Sequence, residues 1–532
     1  MKRIIYSLLA VSTLTGTVGC KKFLDKVPTD FISPENYFKT ETDVMTALAG
    51  VYDIMGKTNT YSRTLIFEND ISDEGFNSLS STPIDLSFNN YDASHGGING
   101  MWNLFYQGVN RANMLLQNID NKDLVMDETK RKAAKGEALF LRGYYYFVLA
   151  SNWGDVPLRL KPPANASDVN IARTPVAQVF EQIVKDMEEA ADLVPVSGTY
   201  TFNSRITKST AWGILARVNL KWAGEPIKNT AKFAEAKKWA AKVMEPGNGH
   251  QLNNDYTQIF INHAQDKYDI KECLWEVEFN KLTTGGQEEE GAIGSITGIP
   301  NSDKAFGYSY GAVHVQEKYY SSFEAGDLRR DWTINPYYYS TVGGVPNSKV
   351  NYTAAQIYNR CNAKWRREYE TATPKNVGTT PINFPLLRYA DVLLMFAEAD
   401  NEVSGGPTPE AYAAINAVRK RAFGLNLPTP PNPAAVYELT PGLDQVAFRE
   451  AIMKERTHEL GFEALRKFDL IRWGIYLSTM NQLGAYVNAT GNATYKANAA
   501  RAGENAAKRH LLLPIPSAEM SLNKSIIQNF EW

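Results

Sequence analysis

The chain has 532 residues, of which 44% are hydrophobic and 21% are charged, and its mean hydropathy is −0.34. This composition excludes a largely disordered chain and is typical of a globular body with several subdomains or a helical framework with insertions. A net charge of −2, with no dense Lys/Arg block, gives no support to nucleic acid or an anionic membrane surface as a partner.

A short hydrophobic segment opens the chain. Lys2 and Arg3 precede an apolar run over residues 4–14, and the small residues that follow end at Cys20. A basic start, an apolar run too short to cross a bilayer and a small-residue end predict a signal peptide over residues 1–19.

Cys20 is the predicted attachment point of a lipid. The sequence Thr17-Val18-Gly19-Cys20 resembles a bacterial lipobox, although Thr17 stands where an aliphatic residue is usual. The thiol of a lipobox cysteine receives diacylglycerol, and acyl chains that gain about 0.8 kcal/mol per buried methylene anchor a protein without a transmembrane helix. Residues 20–33 would then form a lipidated N-terminal tether. The alternative is an unlipidated secreted protein.

Amphipathic helices dominate the rest of the chain. Apolar side chains recur at steps of three and four, the pattern of a helix with one buried face, in residues 102–119, 131–150, 176–193, 208–222, 389–403 and 409–423. Small residues meet large ones in these segments, as in tetratricopeptide-type helix pairs, but no strict period appears. The predicted fold class is mostly α, a tetratricopeptide-like helical-pair scaffold over about residues 34–60, 101–244 and 385–532.

Two stretches break the helical pattern, residues 61–100 and residues 245–384. Both contain turn-forming dipeptides, and residues 274–279 alternate with period two, which predicts a short strand. We therefore expect large loop-rich insertions with a few short strands. Because binding residues concentrate on loops carried by a rigid scaffold, these stretches are the candidate ligand-binding regions.

Short sequence motifs follow one another along nearly the whole chain. They include Gly50-Val51-Tyr52, Asn110-Arg111-Ala112-Asn113, Arg142-Gly143-Tyr144-Tyr145-Tyr146-Phe147, Trp153-Gly154-Asp155-Val156-Pro157, Arg388-Tyr389-Ala390-Asp391, Glu459-Leu460-Gly461-Phe462-Glu463 and Phe468-Asp469-Leu470-Ile471-Arg472-Trp473-Gly474. Each motif alone is weak, but together they resemble the SusD/RagB family of nutrient-binding lipoproteins.

The resemblance implies a non-catalytic protein of the outer membrane, facing the cell exterior. Members of the family cover a SusC-like TonB-dependent transporter and present glycans, or sometimes peptides, for uptake in polysaccharide utilization. Lys21 and Lys22 follow Cys20 where acidic residues often mark export to the cell surface. Ligand contacts vary within the family, so the resemblance assigns no binding residue here.

Charged residues near the C-terminus could be read as an acid/base site. Opposed charges recur at helical spacing within apolar surroundings, at Glu455, Arg456, Glu459, Arg466, Asp469 and Arg472. Paired charges are the usual way in which charge is buried, so we interpret them as structural ion pairs. The same interpretation pairs Arg388 with Asp391 and gives Arg142 a structural partner.

No pattern in the sequence predicts a catalytic centre, a metal or a cofactor. The pair His458-Glu459 lacks the second histidine of a zinc protease motif, and no complete phosphate-loop motif occurs. Cys273 and Cys361 could form one disulfide, but their spacing indicates neither zinc ligation nor a redox motif.

Sugar recognition needs flat aromatic faces for pyranose rings and polar groups for hydroxyls. Both loop-rich stretches supply them, and aromatic residues are dense at residues 306–310 and 337–339. The alternative for any single residue is that it packs the loop onto the body. The candidate glycan-binding residues are Asp73, Phe76, Asn77, Tyr91, Asp92, Trp102, Phe306, Tyr310, Arg329, Trp332 and Trp365.

Two other classes of function stay open. The chain could be an envelope helical-repeat protein that binds peptide or protein, in which case the aromatic loops would bind no sugar. A lipid-anchored glycoside hydrolase would instead need two carboxylates about 5 to 10 Å apart across a cleft.

Overall fold

A computed structural model describes residues 37–79, 84–165, 168–280, 291–491 and 495–532. The predicted signal peptide, Cys20 and the tether lie outside the described residues. No helix among the described residues combines the length and the apolar character needed to cross a membrane.

The described chain is mostly helical, as predicted. The helices are α1 Glu41–Tyr52, α2 Thr64–Asp70, α3 Gly96–Asn118, α4 Glu128–Trp153, α5 Val176–Leu193, α6 Lys208–Ala223, α7 Lys232–Met244, α8 Tyr256–Ala264, α9 Ile293–Thr297, α10 Glu317–Ser322, α11 Arg329–Thr333, α12 Tyr389–Ser404, α13 Pro409–Ala422, α14 Gln445–Leu460, α15 Arg466–Arg472, α16 Tyr476–Thr490, α17 Lys496–Asn505 and α18 Ser517–Leu522.

Side-chain caps fix where several of these helices begin. Thr40 forms a capping box with Asp43 at the start of α1, and Asp127 accepts from the backbone N–H of Lys130 at the start of α4. Thr408 caps α13, where Pro409 occupies the first helical position. These residues satisfy backbone donors that a helix leaves unpaired at its N-terminus, and so they fix the first residue of each helix.

Consecutive helices pack against each other along the chain. Helix α3 packs on α4, α4 on α5, α5 on α6 and α6 on α7, and α12 returns to α6 and α7 before α13 and α14 pack on it. Small residues allow the close approach: a Cβ on Gly108 would lie 2.5 Å from Tyr145, and one on Gly213 would lie 2.5 Å from Leu387. The predicted helical-pair scaffold is confirmed.

The described residues form three two-stranded antiparallel sheets within the insertions or at their borders. Strand β1 (Gly75–Asn77) pairs with β3 (Val313–Val315), β2 (Cys273–Val277) with β6 (Phe384–Arg388), and β4 (Tyr337–Val342) with β5 (Val345–Asn351). The β1–β3 pair joins the two loop-rich stretches. Strand β2 confirms the predicted alternating segment, whereas α8 is a regular helix inside a stretch that was expected to be loop-rich.

Gly343 and Gly344 connect β4 to β5. Their φ angles are +58° and +83°, the combination that a two-residue hairpin turn requires and that glycine adopts without strain. The turn sets a register in which Tyr339 faces Lys349 across the hairpin.

Ion pairs fill the centre of the molecule. We call this the buried ion-pair cluster, and it consists of Arg329, Arg388, Arg421, Glu272, Glu455, Glu459 and Glu463, all at most 5% exposed. Guanidinium nitrogens of Arg388 lie 2.8 Å from Glu459 and 2.7 Å from Glu463, and one of Arg421 lies 2.7 Å from Glu459. Burial alone would raise the pKa of Glu459, but the facing arginines hold it at about 2. The cluster ties β6, α11, α13 and α14 together.

The charged residues near the C-terminus form structural ion pairs, as predicted, but one predicted pairing is wrong. Arg456 bridges Asp469 and Asp391, and Arg472 contacts Glu398. Asp391 pairs with Arg217 and Arg456 and not with Arg388. Because Arg388 ends β6 and Asp391 lies in the first turn of α12, the change from strand to helix sends their side chains to different partners.

Candidate functional site

Two pairs of partly exposed aromatic rings lie on the second insertion. We call Phe306, Tyr308, Tyr310 and Tyr339 the aromatic surface. The rings of Phe306 and Tyr339 meet edge to face at 5.0 Å, and those of Tyr308 and Tyr310 at 4.9 Å. Tyr310 is 43% exposed, and the other three are half-buried. The two ring pairs therefore offer accessible aromatic area supported from behind.

A polar chain connects the loop of Phe306 to the β4–β5 hairpin. The side-chain amide of Asn301 donates to Oδ1 of Asn347 at 3.0 Å, and Nδ2 of Asn347 donates to Oδ2 of Asp303 at 2.8 Å. Hydrogen bonds from Asn347 and from the backbone N–H groups of Phe306 and Ala305 lower the pKa of the Asp303 carboxyl. An ionised carboxylate and two amides thus lie beside the rings, where they could bind hydroxyl groups.

Two basic side chains hold the loop of the aromatic surface from below. Arg367 donates to the carbonyl oxygen of Tyr308 at 2.6 Å, and Nζ of Lys375 donates to that of Phe306 at 2.8 Å. Gly307 lies between them with φ +129°, and a Cβ there would lie 2.8 Å from Arg367. The loop therefore has a fixed backbone although it carries exposed rings.

Tyr337 anchors the base of the hairpin. Its hydroxyl donates to Glu368 at 2.8 Å, and Nζ of Lys349 lies 4.5 Å from the centre of its ring. Burial raises the pKa of Tyr337 above its usual value, so the phenol stays protonated and can donate at neutral pH.

Of the eleven predicted site residues, Phe306 and Tyr310 lie on the aromatic surface. Tyr308 and Tyr339 were among the dense aromatics but not among the selected candidates. The strand pattern of residues 337–339 before Gly343-Gly344 was the available signal for Tyr339, since it predicts a hairpin. The polar partners Asn301, Asp303 and Asn347 carried no distinguishing signal.

The predicted tryptophans are buried and cannot contact a ligand in this structure. Trp102 packs edge-on against Trp153 at 5.3 Å, and Trp365 lies between Phe260 and Phe384. The guanidinium of Arg366 covers the ring of Trp332 at 4.0 Å. Large apolar rings gain more from burial than any other side chain, which outweighed their position in or near loop-rich sequence.

Four further candidates are also buried. Phe76 is 1% exposed within β1, and Tyr91 stacks on Trp532 at 5.0 Å. Asn77 donates to the hydroxyl of Ser87 at 3.0 Å. Arg329 belongs to the buried ion-pair cluster and contacts Asp327, Glu455 and Glu459. These side chains hold the insertions onto the scaffold, and the contacts with a sugar that were predicted for them do not fit the structure.

Two predicted carboxylates lie away from the aromatic surface. Asp73 is engaged by both guanidinium nitrogens of Arg466, at 2.8 and 2.7 Å, and lies beyond the Gly75–Val315 end of the β1–β3 pair. Tyr310 lies beyond the opposite end of that pair. Asp92 is exposed and accepts from the backbone of Ser94 in a local turn.

The aromatic surface holds no set of metal ligands. Among the described residues, the one cluster of three potential ligands is His263, Cys273 and Glu276, in a different part of the molecule. Cys273 and Cys361 are both buried free thiols, so the two do not form a disulfide in this structure.

The fold and several relatives identify the family. A family model described as "SusD family" matches residues 333–532, and one described as "Starch-binding associating with outer membrane" matches residues 22–220. SusD-like protein P2 of Formosa agariphila is 27% identical, over 98% of this chain and 99% of the relative.

Solved structures agree with these matches. A laminarin-binding SusD-like protein has the same fold, with a TM-score of 0.70 and 24% identity over 93% of this chain and all of that one. A SusD homolog from Bacteroides thetaiotaomicron superposes with a TM-score of 0.84 and 30% identity, over 94% of this chain and 98% of that one. This chain belongs to the SusD family, whose proteins are known as non-catalytic binding proteins.

Proposed function

We propose that this chain is a non-catalytic glycan-binding lipoprotein of the outer membrane. It captures oligosaccharide or polysaccharide at the aromatic surface and delivers it to a partner SusC-like TonB-dependent transporter. A lipid on Cys20 anchors it, and the body faces the cell exterior. The observation that carries the proposal is the aromatic surface itself, four partly exposed rings on a braced loop and hairpin.

The chemistry of the aromatic surface suits a sugar chain. Pyranose C–H faces pack on aromatic rings, and large rings bury much apolar area in such a contact. The carboxylate of Asp303 and the amides of Asn301 and Asn347 lie beside the rings and match the hydroxyl groups of a sugar. Two ring pairs in succession favour several sugar units over a single monosaccharide.

The names of relatives indicate which ligands to test first. One family model is described as starch-binding, and one neighbour of the same fold as laminarin-binding. Starch and laminarin are both glucans. We therefore place glucans first in a panel that also contains other plant, host and microbial polysaccharides.

Affinity gel electrophoresis tests the proposal. The chain from residue 21 onward, which contains every described residue, is run through gels that hold one polysaccharide each, while released reducing ends are assayed in parallel. We expect retardation by at least one polysaccharide without release of sugar. Release of reducing sugar would overturn the non-catalytic assignment. If no polysaccharide retards the chain and no sugar is released, a peptide or protein ligand is favoured.

A double variant locates the binding site. Tyr308→Ala with Tyr310→Ala removes one ring pair, and we expect the affinity for the retarding polysaccharide to fall at least about tenfold. Tyr268→Ala is the matched control, because Tyr268 is similarly exposed, at 37%, but lies outside the aromatic surface. Equal affinities for the two variants would place the site elsewhere.

Anchoring and delivery need separate tests. In the native host, Cys20→Ala should move the protein out of the outer-membrane fraction and remove its labelling by a radioactive fatty acid. Affinity purification of the lipidated chain should recover a TonB-dependent transporter. If the purified chain brings down no transporter, the proposed delivery to a transporter is wrong, while the proposed capture of glycan still stands.

A further inference from the structure

Three side chains that can bind a metal meet in the core at the junction of α8 and β2. His263 lies near the end of α8, and Cys273 and Glu276 lie on β2. Nδ1 of His263 is 3.2 Å from Oε2 of Glu276, Sγ of Cys273 is 3.3 Å from the same oxygen, and all three ligand atoms lie within 4.8 Å of one another. Each residue is 2% exposed.

These distances fit one ion between the three atoms. Bonds from zinc to sulfur, nitrogen and oxygen of about 2.3, 2.05 and 2.0 Å at tetrahedral angles separate the ligand atoms by about 3.3–3.6 Å. Two of the separations match that range closely, and a shift of about one ångström in a side chain would bring the third into it.

A bulge in β2 creates the arrangement. In a regular strand, residues three apart, such as Cys273 and Glu276, point to opposite faces of the sheet. The register of β2 against β6 shifts between Cys273 and Trp275 and again between Trp275 and Glu276. Bulges change the direction of side chains and are frequent beside functional sites. Here the shifts turn both ligands toward His263.

His263 is the second, independent observation. Neither of its ring nitrogens makes a hydrogen bond, although the side chain is only 3% exposed, and the contact of Nδ1 with Glu276 does not have hydrogen-bond geometry. A buried polar group without a partner costs about 1–3 kcal/mol. Without a metal ion, a hydrogen bond from the Cys273 thiol to Glu276 gives these two residues a partner, but it leaves both ring nitrogens of His263 without one among the described residues.

Asn383 supplies the outer support that metal sites usually have. Its amide nitrogen donates to Oε1 of Glu276 at 3.2 Å, which leaves Oε2 facing His263 and Cys273. Its Oδ1 accepts from the backbone N–H of Phe279 at 2.9 Å, and its own N–H donates to the carbonyl oxygen of His263 at 3.2 Å. Asn383 thus orients one ligand through its side chain and contacts the helix that carries another through its backbone N–H.

We propose that His263, Cys273 and Glu276 bind a zinc ion, with water in the fourth position. Zinc enters as the divalent cation, the Cys273 thiol releases its proton to solvent, Glu276 binds as the carboxylate, and His263 contributes a neutral nitrogen lone pair. The thiolate and the carboxylate together neutralise the ion, as a buried site requires. The ion ties α8 to the β2–β6 pair.

One of the three residues borders a pocket. Glu276 lines an open pocket of 310 Å³ together with Arg205 and Glu278, so the proposed site lies next to space that opens to solvent.

Cobalt substitution tests the site directly in the unmodified protein. The chain from residue 21 onward is stripped with a chelator and loaded with Co²⁺, which gives a sulfur-to-cobalt charge-transfer band only when a thiolate is a ligand. We expect that band at one cobalt per chain, its loss on addition of Zn²⁺, and one tightly held zinc per chain by elemental analysis. Absence of the band, or zinc far below one per chain, would overturn the proposal.

Matched cysteine variants assign the site. Cys273→Ser should abolish the band and weaken zinc binding at least about 100-fold, since even changes to supporting residues of metal sites cost 10–100-fold. Cys361→Ser is the control, because Cys361 is also buried and free but belongs to no cluster of three ligands among the described residues. Retention of the band in Cys273→Ser, or its loss in Cys361→Ser, would contradict the assignment. If Cys273→Ser does not fold, Glu276→Gln replaces it in the zinc-binding comparison, because it removes one ligand and should weaken zinc binding at least about tenfold relative to Cys361→Ser.

Discussion

The buried ion-pair cluster and the aromatic surface place residue types opposite to where simple hydropathy would put them. Arg388 and Glu459 are at most 1% exposed at the centre of the molecule, whereas the ring of Tyr310 is 43% exposed on an insertion. Charge can be buried because each group in the cluster has an opposite partner, and rings can be exposed because Arg367 and Lys375 brace their loop. The comparison shows that local partners, more than residue type, decide what a side chain does.

Removing a charge from the buried ion-pair cluster should have the largest effect. Arg388→Met keeps much of the side-chain volume but leaves Glu459 and Glu463 without one of their cations. We expect the free energy of unfolding to fall by about 3–5 kcal/mol, because an uncompensated buried carboxylate is strongly unfavourable. Urea denaturation followed by circular dichroism measures the change.

An exposed ion pair provides the control for Arg388→Met. Lys130 contacts Glu41 at 2.6 Å on the surface, where water replaces the interaction at little cost. Lys130→Met should leave the denaturation midpoint unchanged. A wild-type midpoint for Arg388→Met would show that the cluster does not stabilise the fold.

A buried aromatic residue should affect stability and not binding. Trp365→Phe removes part of a ring that packs between Phe260 and Phe384, and we expect a loss of about 1–3 kcal/mol from the missing contacts. Its affinity for the polysaccharide that retards the wild-type chain should stay unchanged at temperatures where the variant is folded. Weaker binding with intact folding would return Trp365 to the ligand site.

The helices were predictable because periodicity and caps act locally. Residues 176–193 were predicted, and Val176–Leu193 is observed, since a run of apolar residues at helical spacing needs only one neighbouring face to pack on. The candidate site was only partly predictable. Trp365 and Tyr310 both lie in one loop-rich stretch, but the contacts that bury the first come from α8 and β6, which are distant in sequence.

Two further features could not be predicted from the sequence: the cluster of His263, Cys273 and Glu276, and the ion-pair partners of Arg388 and Asp391. His263, Cys273 and Glu276 have no motif spacing, because a strand bulge brings two of them to one face. Arg388 and Asp391 stand three residues apart, yet the change from strand to helix between them gives each a different partner. Sequence patterns describe single elements, and these features depend on how elements meet.

Buried carboxyls should make stability depend on pH. Burial raises the pKa of Asp70 to about 8, so between about pH 4 and pH 8 the folded protein keeps a proton that the unfolded chain has released. Stability therefore falls as pH rises through this range, by up to about 1.4 kcal/mol per pH unit for this group. Asp70→Asn cannot titrate and should give a flatter profile, measured by urea denaturation at several values between pH 5 and pH 8.

Two other carboxyls, those of Glu74 and Asp92, provide references for the pH profile of Asp70→Asn. Glu74 has its pKa raised to about 8 by burial as well, so part of the slope should persist in Asp70→Asn. Asp92 is exposed with a lowered pKa, so Asp92→Asn should leave the profile unchanged across this range. Parallel profiles for wild type and Asp70→Asn would show that Asp70 is ionised in the folded protein.

The smallest change in stability is expected at the edge of the aromatic surface. Asn347 has φ +58°, and its side chain ties the hairpin to Asn301 and Asp303. Asn347→Gly keeps this backbone conformation without strain and removes both hydrogen bonds, so the free energy of unfolding should fall by no more than about 1 kcal/mol. Affinity for the bound polysaccharide should fall about threefold to tenfold, because Tyr339 is no longer held beside Phe306.

Ser348→Gly is the matched control on the same strand, since the Ser348 hydroxyl donates, among the described residues, to the carbonyl oxygen of Val345 within the hairpin and to no other side chain. It should bind as the wild-type chain does. If Asn347→Gly also binds as wild type while Tyr308→Ala with Tyr310→Ala does not, the ligand contacts one ring pair and the hairpin is a boundary of the site. If Asn347→Gly, Ser348→Gly and the double tyrosine variant all bind as the wild-type chain does, the exposed rings do not capture the glycan. The aromatic surface and the buried ion-pair cluster would then differ in their contribution to stability and not in a binding role.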